Sequence, residues 1–214
     1  MRTATDTVAG VAYTDFSIAD LVQKFGLRIT ERSELFGSVA PVTPGAVLTE
    51  YLRESASLAI EVSTEKARSE MIIAPILVEA RRQRQGGVSL FSGSEFAVDA
   101  ARGLTGYCDF LFSRSPTQLE ILAPVLVVVE AKNENIRQGF PQCIAEMLAA
   151  RIFNERHGNP KGAVYGAVTT GEIWRFLRLV GDEVDVDLSA YYLRDLDRIV
   201  GVLVHALTPE AAAT

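Results

Sequence analysis

Cysteine and histidine are scarce in this chain, two of each, and their scarcity closes off several chemistries. Cys108 and Cys143 are too few to staple a disulfide-built scaffold, and no Cys/His spacing of a zinc site accompanies them. They read as small buried hydrophobes in a reducing compartment. His157 stands beside Gly158 at an expected helix end, where a cationic ring suits the helix dipole, and His205 lies inside an apolar terminal helix. Neither has a neighbouring nucleophile, so nothing local supports a catalytic triad. Long apolar runs are also missing: no stretch reaches the roughly 18 residues of a bilayer span, and the opening MRTATDTVAG lacks the apolar segment of a secretory signal. The expectation is a cytoplasmic protein with no membrane contact. No GxGxxG or GxxxxGK[ST] string occurs, which leaves dinucleotide and P-loop binding unsupported. Positive charge is short as well, with 21 Lys and Arg against 27 Asp and Glu and a formal net charge of -6. That balance argues against a protein that coats nucleic acid with a general basic surface. Contact with DNA or RNA is expected to be local, transient, or assisted by a cation or a partner.

What is present suffices for one main globular unit: 214 residues, 48% of them hydrophobic. Residues 1–62 read as an irregular, partly helical lead-in packed on a core formed by residues 63–214. Within the lead-in, the spacing of Val47, Leu48, Tyr51, Leu52, Leu58 and Ala59 is helical. A clearer helix opens at Ser63 or Thr64 as N-cap, with Glu65 in its first turn, and stops at Gly86-Gly87. Pro75 predicts a kink or break near Met71 to Ala74, because its ring removes a hydrogen bond and clashes with the preceding turn. Arg81, Arg82 and Arg84 crowd the end of that helix, where solvation and dipole compensation explain them more readily than a phosphate-binding patch does.

The period then becomes extended in three successive runs: VSLFSGSEFAVDA, TGYCDFLFSRSP and PVLVVVEAKN. A helix from about Gln138 to His157 follows, then strands in GAVYGAVTTG and EIWRFLRLVG joined as a hairpin around Gly171-Glu172. EVDVDL can add a short strand, and a helix from about Leu196 to Leu207 closes the series. The order predicts an α/β fold, one mixed sheet with helices against it.

One stretch breaks the apolar logic of its strand. After the run Val125–Val129 come Glu130 and, two positions on, Lys132. Alternation puts Glu130 and Lys132 on one face. The preceding strand carries Asp109, a lone acid among Tyr107, Cys108, Phe110 and Phe112. If these strands pair, Asp109 and Glu130 meet. Two carboxylates about 4 Å apart repel by roughly 4 kcal/mol at an effective dielectric near 20, and one lysine cannot neutralise both. Either one carboxylate is protonated or a divalent cation lies between them, and Mg²⁺ or Mn²⁺ prefers such oxygen ligands. Lys132 then makes sense as the group that orients a water for attack on phosphorus. A plain ion pair at the sheet rim, worth about 0–1 kcal/mol, accounts for Glu-x-Lys taken alone.

The succession of a helix acid, an Asp in a strand after Gly, an apolar strand ending Glu-x-Lys, and a helix bearing Gln resembles the PD-(D/E)XK nuclease superfamily over residues 70–168. The strings SGSEF, GYCDF, VVVEAKNEN, QCIAEMLAA and TTGEIWRFL are similar to a mostly uncharacterised bacterial, often cyanobacterial, branch of it. The resemblance implies a restriction-endonuclease-like core, α-β-β-β-α-β, with the lead-in before it and the C-terminal hairpin and helix after it. It implies Asp109 and Glu130 as metal-binding carboxylates, the Ala131 carbonyl as a further ligand, and Lys132 as the water-positioning residue. Glu70 would be the additional helix acid and Gln142 the helix glutamine. Cys108 stands where the motif's name has Pro. The implied activity is Mg²⁺- or Mn²⁺-dependent hydrolysis of DNA or RNA, with an inactive binding or assembly module on the same fold as the alternative. A homodimer through the apolar terminal helices is the protein partner expected.

Overall fold

The computed structural model describes residues 12–160 and 162–208. The chain enters through a short 3₁₀ turn into α1 (Ile18–Phe25) and β1 (Arg28–Arg32). Next come α2 (Ala46–Val62), α3 (Glu65–Arg68), a π-helical turn (Ser69–Ile73) and α4 (Ala74–Gln83). Three strands follow, β2 (Ser89–Glu95), β3 (Tyr107–Ser113) and β4 (Val125–Ala131), and then α5 (Gly139–Arg156). The chain continues through β5 (Val164–Thr169), β6 (Ile173–Val180), β7 (Glu183–Asp187), β8 (Tyr191–Tyr192) and α6 (Leu196–Ala206). No helix among the described residues is long and apolar enough to cross a membrane.

The eight strands make one mixed sheet, ordered β1-β7-β6-β5-β4-β3-β2, with β8 beside β6. The pairs β4/β5 and β1/β7 are parallel, and the others antiparallel. Two apolar layers cover the two faces. On one, Leu48 and Leu52 of α2, Ile76 and Leu77 of α4, and Val200 and Leu203 of α6 pack on Phe110, Val129 and Trp174. On the other, Leu21 of α1 and Ile144, Met147 and Leu148 of α5 pack on Leu111, Val128 and Leu177. β4 lies between both layers and is buried along its whole length, which explains why it reads as an unbroken apolar run.

Local signals account for the elements that carry the site. The Thr64 hydroxyl accepts from the Ala67 amide at 3.1 Å and opens α3. The break expected from Pro75 is the π-helical turn just before it. Pro75 has no N–H for the Met71 carbonyl, and the Ser55 hydroxyl donates to that oxygen instead, at 3.0 Å. Asn154 pins α5 to the start of β4: its Oδ1 accepts from the Val125 amide at 2.7 Å and its Nδ2 donates to the Val125 carbonyl at 2.8 Å.

The lead-in is more regular than its composition suggests. Arg28–Arg32 is a sheet-edge strand beside β7, and Phe36 belongs to the core. Arg82 pairs with Glu79, and the Arg81 side chain donates to the Val88 carbonyl at 2.9 Å, so two of the three end-of-helix arginines have structural partners, while Arg84 Nε is buried without one. The apolar face of α6 is spent within the chain.

Candidate functional site

Register places the two expected carboxylates together. Phe110 of β3 stands opposite Val129 of β4, so Asp109 lies one step outward beside Glu130. Asp109 Oδ2 accepts from the Ala131 amide at 2.8 Å. Thus the residue proposed to lend its carbonyl already engages the site through its N–H. Glu130 is 1% exposed. Lys132 Nζ donates to Glu130 Oε1 in a short contact and lies 3.3 Å from Gln142 Oε1. The Gln142 amide nitrogen donates to Glu130 Oε2 at 2.8 Å and to Glu146 Oε1 at 3.1 Å. The Lys132 backbone amide donates to the Thr169 carbonyl at 2.8 Å and ties the end of β4 to β5.

Helix α5 reaches this corner because its first residue has no side chain. A Cβ on Gly139 would run into Val168 Cγ1 and lie 3.2 Å from Lys132 Cγ and 3.4 Å from Glu130 Cγ. Glycine is required here by close approach.

The electrostatics follow from burial and imbalance. Burial, reinforced by the charge of Asp109, pushes the Glu130 carboxyl up to about 8, against the pull of Lys132. Burial also raises Asp109, opposed by the Ala131 hydrogen bond and by Lys132. Burial alone would lower the Lys132 ammonium, but its hydrogen bond to Glu130 and the charges of Glu130, Glu65 and Asp109 hold it above its ordinary value. Glu146 is fully buried, and burial followed by the Glu130 charge pushes it well up. Three carboxyls therefore gather around Lys132, the single cation ion-paired to any of them among the described residues.

Asp109 also lines an open cleft of about 270 Å³ with Glu65, Ser69, Glu70, Ser92 and Gly93. Glu70 reaches this cleft from the π-helical turn, but its ion pair is with Lys66 at 2.8 Å and it is largely exposed. The helix acid that acts electrostatically on both Glu130 and Lys132 is Glu65, one turn earlier. Asp109, Glu130, Lys132 and Gln142 are thus brought together, with Glu70 on the rim.

No family model matches the chain, and no curated protein matches it either. What the cluster can hold must be judged from its own donors. Among the described residues, no group of three or more His, Cys, Asp or Glu side chains is arranged around a common point as a metal site. A hard cation that keeps several waters, as Mg²⁺ does, is commonly held by one or two carboxylates, and Asp109 and Glu130 with the Ala131 carbonyl meet that requirement. Two carboxyls raised by burial and served by one ammonium are also the imbalance that a divalent charge relieves. The donor set fits.

Sequence reasoning missed Glu146 and did not single out Glu65 for this role. For Glu146 the signal was present: it is the lone charge in CIAEMLAA, four residues after Gln142 and hence on the same face of α5. Glu134 is exposed, and Trp174, Phe176 and Leu177 of β6 are core residues. Cys108 and Cys143 are buried and free.

Proposed function

We propose that this protein is a Mg²⁺- or Mn²⁺-dependent phosphodiesterase of the PD-(D/E)XK nuclease type, acting on DNA or RNA. The observation that carries the reading is the junction of Asp109, Glu130 and Lys132 at the ends of two paired strands, with Gln142 bonded to two of the three. The order of α3 and α4, then β2, β3, β4, α5 and β5, is the order a restriction-endonuclease-like core would take, and it supports the same reading.

Asp109, Glu130 and the Ala131 carbonyl would hold the ion, which when bound supplies a Lewis acid for the phosphoryl oxygens and an acidified water. The chain's own contribution is positional. Asp109 opens to the cleft, so it meets an incoming phosphodiester first. Lys132, with its ammonium kept charged by its neighbours, can hold a water or a non-bridging phosphate oxygen by hydrogen bonding. Gln142 fixes the lysine from the side of α5. The net charge of -6 offers no general attraction to a polyanion, so contact with one would depend on the cation held at this corner.

The test is cleavage of single-stranded and duplex DNA and RNA by the purified chain. Cleavage with Mg²⁺ or Mn²⁺ is expected, abolished by EDTA and reduced at least about 100-fold by Lys132→Ala with folding retained. Cleavage that survives both treatments would overturn the reading. One observation favours the inactive module instead: both Glu130 oxygens are engaged by Lys132 and Gln142. Titration with Mn²⁺ separates the two, since specific binding lost in Asp109→Asn belongs to the enzyme and no binding at millimolar ion belongs to the module.

A further inference from the structure

Glu146 is the member of the polar cluster to which the proposed chemistry gives no task. It is 0% exposed on α5, in the layer formed by Cys143, Ile144, Met147 and Leu148. Its Oε2 is buried without a hydrogen-bond partner. For packing alone, leucine would serve better, because a half-satisfied buried carboxyl costs stability that an apolar group of similar shape does not.

What Glu146 offers in return lies at its other oxygen. A glutamine amide has two N–H donors and one carbonyl oxygen. Both Gln142 donors are committed, one to Glu130 Oε2 and one to Glu146 Oε1. The amide oxygen is then the atom left to face Lys132 Nζ. Turning the amide over would set its oxygen against the oxygens of Glu130 and Glu146, and its hydrogens against the ammonium. With Glu130 alone as acceptor, one hydrogen of the amide would have no partner and the preference would weaken.

We propose that Glu146 is a positioning residue: by accepting the second hydrogen of the Gln142 amide it sets which way that amide faces, and so holds Lys132 beside Glu130 and Asp109. Its significance for catalysis rests on the nuclease reading, whereas the orientation of the amide does not. Burial, followed by the nearby Glu130 charge, pushes the Glu146 carboxyl well above its ordinary value.

The experiment compares the full chain with Glu146→Leu and Glu146→Gln. Three quantities are read: the thermal midpoint, the side-chain amide resonances of Gln142 by ¹⁵N NMR, and Mn²⁺ affinity by calorimetry. Glu146→Leu is expected to keep or raise the midpoint, to shift the Gln142 amide resonances and lose their protection from exchange, and to weaken Mn²⁺ binding by about 10–100-fold. Glu146→Gln, whose carbonyl can still accept, is expected to preserve the resonances and to stay within about threefold of the parent affinity, well inside that range. The inference is overturned if Glu146→Leu leaves the Gln142 resonances unchanged, if it lowers the midpoint in step with the site properties, or if Glu146→Gln loses what Glu146→Leu loses. Should the parent chain bind no Mn²⁺, the nuclease reading fails at that point, and the amide resonances still decide the role of Glu146.

Discussion

At the scale of single residues, the buried carboxyl of Glu130 makes a pH prediction with a definite sign. Its ordinary value of 4.5 rises to about 8 in the fold, chiefly through burial and then the charge of Asp109. Between those values the folded state binds the proton and the unfolded chain does not, so this group's contribution is fully present below 4.5 and is lost as pH climbs toward 8. Other carboxyls act in the opposite sense. Glu79 and Asp185, held down by arginines, lose their contribution at acid pH. Comparison with Glu130→Gln isolates the one group. In urea denaturation without metal, the parent should lose on the order of 2–4 kcal/mol relative to this variant between pH 5 and 9, and equal slopes of stability against pH would refute it. Asp109, Glu130 and Lys132 were legible in the sequence because a charged side chain in an otherwise apolar segment needs a reason, whereas Gln142 was singled out by the family resemblance alone. Glu146 carried the same mark as the first three. Glu65 did not, since an acid in a first helical turn is already explained by the helix dipole; only the fold brings its charge near Lys132.

At the scale of elements, helix α5 holds the site in place from both ends. Gly139 allows its start to touch the stems of Glu130 and Lys132, and Asn154 fixes its far end to the first residue of β4. Gly139→Ala should therefore cost about 1–3 kcal/mol in denaturant unfolding by overpacking, with a larger fractional loss in Mn²⁺ affinity than a core substitution of equal cost far from the site, such as Leu203→Val. Equal loss from both variants would mean that α5 does not set the site's geometry. A break before Pro75 was foreseeable, because a missing N–H is a local fact, though its π-helical form was not. β1 was not: its sequence, RITER, is polar and largely exposed along its length, as suits a sheet edge, and shows no alternation to read. EVDVD, with four of its five residues buried in β7, was visible by the same criterion.

At the scale of the whole molecule, the boundary at residue 62 is a feature of composition more than of packing. β1 completes the sheet edge beside β7, and Tyr13, Phe16, Leu21, Leu27 and Phe36 all lie in the two cores. A chain beginning at Ala46 should uncover the β7 edge and both apolar layers. It is expected to be recovered mainly as aggregate, or with a midpoint lowered by at least about 10 °C. A soluble monomer with the parent's midpoint would establish the lead-in as separable. The edge pair also sets a constraint in time. Arg28 meets Glu183, 155 positions later, at the far end of the same sheet. During synthesis the first strand must wait, unpaired, until nearly all of the sheet has emerged. Such distant pairing pays its loop-closure entropy before any reward, which slows folding. This protein should acquire its edge last, with the corner that holds Asp109 and Glu130 assembled earlier from strands that are neighbours in the chain.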